Sequence, residues 1–299
     1  MSGGEGGPSG GVDHGRSPLY EALNARRYQR QNLIRDIESL TDRRLAVYFA
    51  NVNHPSSGIS QPDVAPFQDL LFDCEPHCSL DLLLQSPGGD IDIAEKLVYM
   101  LRQRASSLRV VVVERAKSAA TLIALAADEI LMSSTSELGP IDPQVTIFTA
   151  DGRPLQRPAR SFLDGLDQIK KSVSDDGELN PAYFPLLSQL DPALLDFCQK
   201  AIARSEQFAE KWLSRYMLVD RPESARDIAA RLTDVEKYRS HGMVIDSQEA
   251  AQLGLRVTVM PPDDPLWKQL WRLHLLYEVE NYEHNGAKVF ESRKVSISF

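Results

Sequence analysis

The sequence predicts an α/β protein built on a parallel sheet with helices on both faces. Apolar segments of strand length alternate with amphipathic segments of helix length between about residues 45 and 132. The strand segments are continuously apolar, as expected of strands that are buried on both faces. The composition agrees with this class, because 42% hydrophobic and 25% charged residues are ordinary for a globular protein of 299 residues.

The elements can be placed in order along the chain. Apolar residues recur at helical spacing between residues 18 and 40. Strands are then predicted at 45–52, 80–85, 109–114 and 129–132, with helices at 67–72, 91–104, 119–127 and about 192–216. A turn, a short helix and a strand follow between residues 244 and 260, before a last helix from about 265 to 281. The closing residues 294–299 alternate like a strand, which could pair with a sheet edge.

Three regions are predicted. Residues 1–16 contain seven of the chain's 17 glycines, which indicates a disordered tail. Residues 17–262 form the main domain, and within them the apolar pattern weakens at 151–190, which favours an insertion or a lid. Residues 263–299 contribute a helix and a tail that we expect to serve packing or oligomerisation.

Composition and charge exclude several classes of function. A net charge of −9 argues against a nucleic acid or an anionic membrane surface as the main partner. No apolar run approaches the roughly 18 residues of a membrane span, and no secretory signal is present, so a cytoplasmic protein is expected. Three cysteines form no disulfide framework, and Cys74, His77 and Cys78 lack a second ligand pair. We predict no metal and no cofactor.

Two glycines follow the predicted strand at 80–85. A phosphate-binding loop would continue with Lys and Ser or Thr, whereas Gly88 and Gly89 are followed by Asp90 and Asp92, which would repel a phosphate. Without Cβ atoms, this corner lets a backbone N–H face a ligand closely, which is the geometry of an oxyanion hole. The alternative is a turn that only reverses the chain.

A serine occupies a similar position after the next strand. Ser118 lies at the start of an apolar helix, where unpaired N–H groups carry partial positive charge. It is either a nucleophile or a helix N-cap. Both corners lie at the carboxyl ends of neighbouring strands, where ligands bind in open α/β sheets, and this combination favours a site.

Three motifs carry a family resemblance: SPGGDIDIAEKLVYMLR, AKSAATLIALAADEILMSSTSELGPIDPQ and SHGMVIDSQEAAQLGLRV. Together, over roughly residues 28–260, they resemble the serine dehydrogenase proteinase family, a branch of the Clp-type and signal-peptide-peptidase-A serine peptidases. The resemblance implies a ClpP/crotonase-like spiral of β-β-α units and peptide-bond hydrolysis in a homo-oligomer. It also implies Ser118 as nucleophile and an oxyanion hole at the Gly88–Gly89 corner and Ala119.

The general base is less directly indicated. Where Clp-type relatives have the triad histidine, the stretch ELGPIDPQV offers Asp142 and no histidine. His241 precedes the turn that supplies the acidic member in those relatives, so a swapped arrangement is predicted, with His241 as base and Asp142 orienting it. Alternatively, His241 caps the 244–250 turn. A Ser–Lys pair would instead use Lys117, Lys170 or Lys171.

The predicted function is therefore a cytoplasmic, homo-oligomeric serine peptidase that acts on proteins or peptides. Two alternatives remain open. A crotonase-type enzyme would use similarly placed amides to hold an acyl-coenzyme A enolate. A non-catalytic oligomeric scaffold would retain the peptidase fold without activity.

Overall fold

The computed structural model describes residues 17–149, 151–176, 179–188, 191–234, 237–238 and 240–299. The tail predicted at residues 1–16 lies outside the described residues. The helices are α1 (Pro18–Leu23), α2 (Ala25–Thr41), α3 (Val64–Phe72), α4 (Ile91–Arg104), α5 (Ala119–Leu125), α6 (Ala159–Asp176), α7 (Phe184–Leu187), α8 (Pro192–Arg215), α9 (Ser224–Leu232), α10 (Ser247–Gln252) and α11 (Pro265–His284). The strands are β1 (Arg44–Ala50), β2 (Cys78–Gln85), β3 (Ala105–Val111), β4 (Arg115–Ala116), β5 (Glu129–Met132), β6 (Glu137–Leu138), β7 (Gln144–Phe148), β8 (Pro154–Pro158), β9 (Val257–Val259), β10 (Lys288–Glu291) and β11 (Ser296–Ser298).

A seven-stranded sheet forms the centre of the fold, in the order β11-β10-β1-β2-β3-β5-β9. Strands β1, β2, β3, β5 and β9 run parallel to one another, and β10 and β11 add an antiparallel edge. The predicted α/β class with a mostly parallel sheet is confirmed. The parallel order also brings the ends of β2 and β3 to one edge, directly beside each other.

Helices cover both faces of the sheet. In β1 the side chains of Ala46 and Tyr48 join the core under α3, α4 and α5, whereas Val47 and Phe49 join the core under α2 and α11. Successive side chains of a strand point to opposite faces, so a strand with helices on each side is apolar at every position. This is why the strand segments read as unbroken apolar runs.

The C-terminal residues are integrated into the same core. On α11, Tyr277 is fully buried and donates its hydroxyl to Glu291 of β10 at 2.7 Å. Glu291 also accepts from Arg30 of α2 at 2.7 Å, so three elements meet around one buried carboxylate. Strand β11 pairs with β10 of its own chain.

The region at 151–190 contains part of a hairpin and a helix that pack together. Strands β7 and β8 pair in antiparallel fashion, and α6 follows directly. A small separate core joins them to α8 through Val145, Ala159, Cys198 and Ile202. Whether this region acts as a lid stays a prediction. Across the described residues, every helix is too short or too polar to cross a membrane.

Candidate active site

The structure brings the glycine corner and the serine corner together. After β2, the N–H of Ser86 donates to the carbonyl of Arg115 at 3.1 Å, and the N–H of Lys117 donates to the carbonyl of Ser86 at 3.1 Å. These bonds bring Gly88 so close to Ser118 that a Cβ on Gly88 would lie 2.7 Å from the Ser118 Cβ. Only glycine fits at this position without displacing its neighbour.

Ser118 occupies a strained position at the start of α5. Its backbone has φ 51° and ψ −118°, a region that costs non-glycine residues about 1–3 kcal/mol and recurs at functional sites. Although Ser118 is the N-cap residue, its side chain makes no capping bond. Within the described residues its hydroxyl has no hydrogen-bond partner. The hydroxyl is therefore available for another role.

The glycine corner is held by the loop before α3. The carbonyl of Gly88 accepts from Ile59 at 2.7 Å, and Ile59 accepts in turn from the N–H of Asp90 at 2.9 Å. Gly88 and Gly89 have φ of 103° and 144°, which residues with a Cβ rarely adopt. The Asp90 carboxylate caps α4 by accepting from the N–H of Asp92 at 2.8 Å, which accounts for an acidic residue beside this corner.

Two backbone amides of the predicted oxyanion hole lie beside Ser118. Ala119 is the first residue of α5, so its N–H has no intrahelical acceptor. Its nitrogen would be 3.2 Å from a Cβ on Gly88, which places the two residues in contact. The N–H of Gly88 makes a long hydrogen bond to Ser86 Oγ at 3.2 Å. An anion at this corner could compete for that N–H.

His241 and Asp142 lie together although 99 positions separate them. His241 Nδ1 is 2.8 Å from Asp142 Oδ1, and Asp142 is buried. The main chain brings them together, because Leu138 and Ile245 exchange two backbone hydrogen bonds in an antiparallel bridge. Asp142 lies four residues after Leu138, and His241 lies four residues before Ile245, so the two face each other. His241 therefore does not cap the following turn, where Asp246 is the N-cap of α10.

The second oxygen of Asp142 is also held. Gln144 Nε2 donates to Asp142 Oδ2 at 2.7 Å. The carboxylate is thus fixed from two sides, by an imidazole and by an amide. Gln144 was not predicted as a site residue, although its position two residues after Asp142 is the local signal that could have identified it.

The amines of the candidate lysines have other partners or are exposed to solvent. Lys117 Nζ donates to the carbonyls of Leu138 at 3.0 Å and Met243 at 3.1 Å, and it pairs with Glu137 at 3.2 Å. Burial lowers the pKa of Lys117, and the charge of Glu137 partly opposes that shift. Lys170 and Lys171 are exposed on α6. Lys117 instead ties the segment before Asp142 to the loop that carries His241.

One cleft of about 640 Å³ is lined by the serine, the histidine and the glycine corner. Its lining includes Ser118, Ala119, His241 and the corner from Pro87 to Ile91. The lining also includes the hairpin residues Gln144 and Gln156 and four residues of α8: Phe197, Ala201, Arg204 and Ser205. The volume is in the range of ligand pockets. The serine and the histidine therefore share a cleft, without a hydrogen bond between them in this state.

Comparison with known proteins identifies a family and two relatives that match most of the chain. The family described as ClpP-like SDH-type serine proteinase matches residues 74–280. Two uncharacterized proteins of Methanocaldococcus jannaschii are 31% identical over 219 residues and 29% identical over 185 residues. These matches cover 70% and 61% of this chain, and the chain spans about two thirds of one relative (66%) and about half of the other (53%).

Solved structures resemble the chain more distantly. The membrane-bound stomatin-specific protease 1510-N has a TM-score of 0.42 at 16% identity, over 71% of this chain and 79% of that chain. ClpP1 from Listeria monocytogenes has a TM-score of 0.38 at 12% identity, over 77% of this chain and 98% of that chain. The family match covers more than half of the sequence, including Ser118, Asp142 and His241. The chain belongs to the family of ClpP-like SDH-type serine proteinases.

Proposed function

We propose that this protein cleaves peptide bonds through an acyl-enzyme formed on Ser118. One observation carries the proposal: a serine hydroxyl that has no hydrogen-bond partner among the described residues lies at the start of a buried helix, and it shares a cleft with a histidine that is hydrogen-bonded to a buried aspartate. A nucleophile, a base and a group that orients the base are the parts that acyl transfer by serine requires.

The proton path follows from the His241–Asp142 contact. With Asp142 accepting from Nδ1–H, the lone pair of Nε2 is left to take the proton of Ser118 Oγ. The hydroxyl oxygen attacks the carbonyl carbon of the peptide bond, and His241 then donates the proton to the departing amine. Water, deprotonated by the same imidazole, releases the acyl group. The Ser118–His241 hydrogen bond would form when substrate closes the cleft, as is common for catalytic contacts.

The negative charge that develops on the carbonyl oxygen would be met by backbone amides. We assign this role to the N–H groups of Gly88 and Ala119, with Gly89 completing the corner that positions them. Such donors contribute about 10²–10³ in rate when they point at the developing charge. No metal or nucleotide enters these steps.

Two further proposals concern the assembly and the location of the protein. We propose a homo-oligomer that takes a protein or peptide substrate, as the family resemblance implies, and a cytoplasmic location, because an odd number of cysteines suits a reducing compartment. The net charge of −9 agrees with a partner other than nucleic acid.

Labelling with a fluorophosphonate tests the function. The wild type should be modified at one serine, and Ser118→Ala should not be. Ser57→Ala is the matched control, because Ser57 lines the same cleft and its loss should leave labelling intact. Absence of labelling in the wild type would favour the scaffold alternative. Coenzyme A retained on the purified protein would favour the crotonase-type alternative.

A further inference from the structure

A second cluster of ionisable side chains lies outside the cleft. Glu114, His274 and Glu278 each offer one ligand atom, and these atoms lie within 4.8 Å of one another. Glu114 follows β3, and the other two residues lie one helical turn apart on α11. This set was not predicted from the sequence, because Glu114 precedes His274 by 160 positions and no local spacing links them.

His274 is the unusual member of the cluster. It is only 2% exposed, its Nδ1 has no hydrogen-bond partner among the described residues, and its Nε2 is 3.7 Å from Glu114 Oε2. Buried polar atoms are nearly always paired, and the 3.7 Å between Nε2 and Glu114 Oε2 is too long for a hydrogen bond, so this imidazole is suited to bind a further partner.

The two carboxylates can supply negative charge to a cation bound beside His274. Glu278 has no hydrogen bond or ion pair with a described residue, so its carboxylate is available to a cation. Glu114 is already engaged, because Arg115 pairs with its Oε1 and Gln85 Nε2 donates to its Oε2 at 2.8 Å. A carboxylate oxygen has a second lone pair, so Oε2 can accept a further partner.

We propose that Glu114, His274 and Glu278 bind a divalent transition-metal cation. One imidazole and two carboxylates suit Zn²⁺, Mn²⁺ or Co²⁺ better than the all-oxygen sites that Ca²⁺ and Mg²⁺ prefer. Water would complete the coordination on the side of Glu278, which is the least buried of the three. The role is structural: the cation links α11 to the segment that runs from Glu114 to Ser118.

This site is independent of the proposed peptidase chemistry. None of its three ligands lines the cleft. The cation would stabilise the packing of α11 on the sheet, where Trp267, Leu270 and Tyr277 are already buried. Loss of cation binding and loss of serine labelling can therefore be measured as separate outcomes.

The experiment is a titration of the full-length, chelator-stripped protein with Co²⁺, followed by calorimetry and visible absorption. We expect one Co²⁺ per chain, with weak d–d bands from nitrogen and oxygen ligands. Glu278→Gln should reduce the affinity at least about tenfold. Glu283→Gln is the control, because Glu283 lies on the same helix and pairs with Arg26 instead, and its Co²⁺ affinity should equal that of the wild type.

Stability gives a second readout. At a cation concentration about a hundredfold above the wild-type Kd, the thermal midpoint of the wild type should rise by about 5 °C, and that of Glu278→Gln by about 2 °C or less, because a tenfold weaker site gains only about half the stabilisation. The proposal is overturned if no saturable binding occurs or if Glu278→Gln binds as tightly as the wild type. It is also overturned if a thiolate-to-cobalt charge-transfer band appears, since Cys74 and Cys78 would then hold the ion.

Discussion

Gly88→Ala is the sharpest test of the proposed active site, because it acts on the contact between the two corners. An added Cβ would lie 2.7 Å from Ser118 Cβ and 2.8 Å from the Lys117 carbonyl oxygen. Ordinary contact begins at 3.4 Å, so the corners must separate by 3.4 − 2.7, about 0.7 Å. Overpacking of this kind costs about 1–3 kcal/mol, and a positive φ of 103° adds about 1–2 kcal/mol for alanine.

The expected result is a loss of about 2–5 kcal/mol in the free energy of unfolding, measured by urea titration. The rate of fluorophosphonate labelling should fall about a hundredfold, because a displacement approaching 1 Å at reacting groups has effects of that order. The slower labelling and about 1–3 kcal/mol of the destabilisation follow from the forced separation of Gly88 and Ser118, and the rest comes from the positive φ.

Gly152→Ala is the matched control. Gly152 also has a positive φ, of 78°, but no atom lies within 4 Å of its added Cβ. This variant should lose about 1 kcal/mol from the backbone alone and label at the wild-type rate. If Gly88→Ala matched Gly152→Ala in both stability and labelling rate, the close approach of the two corners would be unnecessary, and the reasoning would fail.

Three further variants test other parts of the molecule. His241→Ala should slow labelling about a hundredfold or more, and an unchanged rate would exclude it as the base. Lys117→Met should lower the free energy of unfolding by about 1–3 kcal/mol and slow labelling only partially, whereas complete loss would make Lys117 the base. Burial raises the pKa of Glu95, but hydrogen bonds from basic side chains of α8 outweigh it and lower that pKa below 4.5. Glu95 therefore stabilises the fold above pH 4.5, and this contribution is lost as pH falls through its folded pKa. Glu95→Gln should lose about 2 kcal/mol near neutral pH and show a shallower acid dependence in urea titrations, whereas Asp196→Asn, in an exposed pair, should behave as wild type.

Local sequence signals predicted the elements that depend on local physics. The bounds of α4 were predicted at 91–104 and are observed there, because Asp90 caps the first turn of an amphipathic helix. The strand at 129–132 is also as predicted. Strand β10 was missed, because Lys288 and Glu291 look like surface residues in sequence. In the fold, both are buried in ion pairs with residues more than 220 positions away.

The candidate site also combines residues that local sequence signals suggested with contacts that such signals could not show. The roles proposed for Ser118 and Gly88 were suggested by strand, turn and helix signals within a few residues of each. The His241–Asp142 contact was proposed from the family resemblance, and its 2.8 Å geometry depends on the Leu138–Ile245 bridge. Nothing near Lys117 in the sequence indicates that its amine reaches the carbonyl of Met243, 126 positions away.

Hydrophobic periodicity and turn chemistry act over a few neighbouring residues, so they were sufficient to predict the α/β class, the main parallel strands and the two corners. The contacts of the ionisable groups depend on the three-dimensional fold: His241 meets Asp142, Lys117 meets two carbonyls, and Glu114 meets His274 and Glu278. Those contacts join segments that are distant in the chain. They arise from the packing of whole elements on the sheet, and local propensity carries no information about that packing.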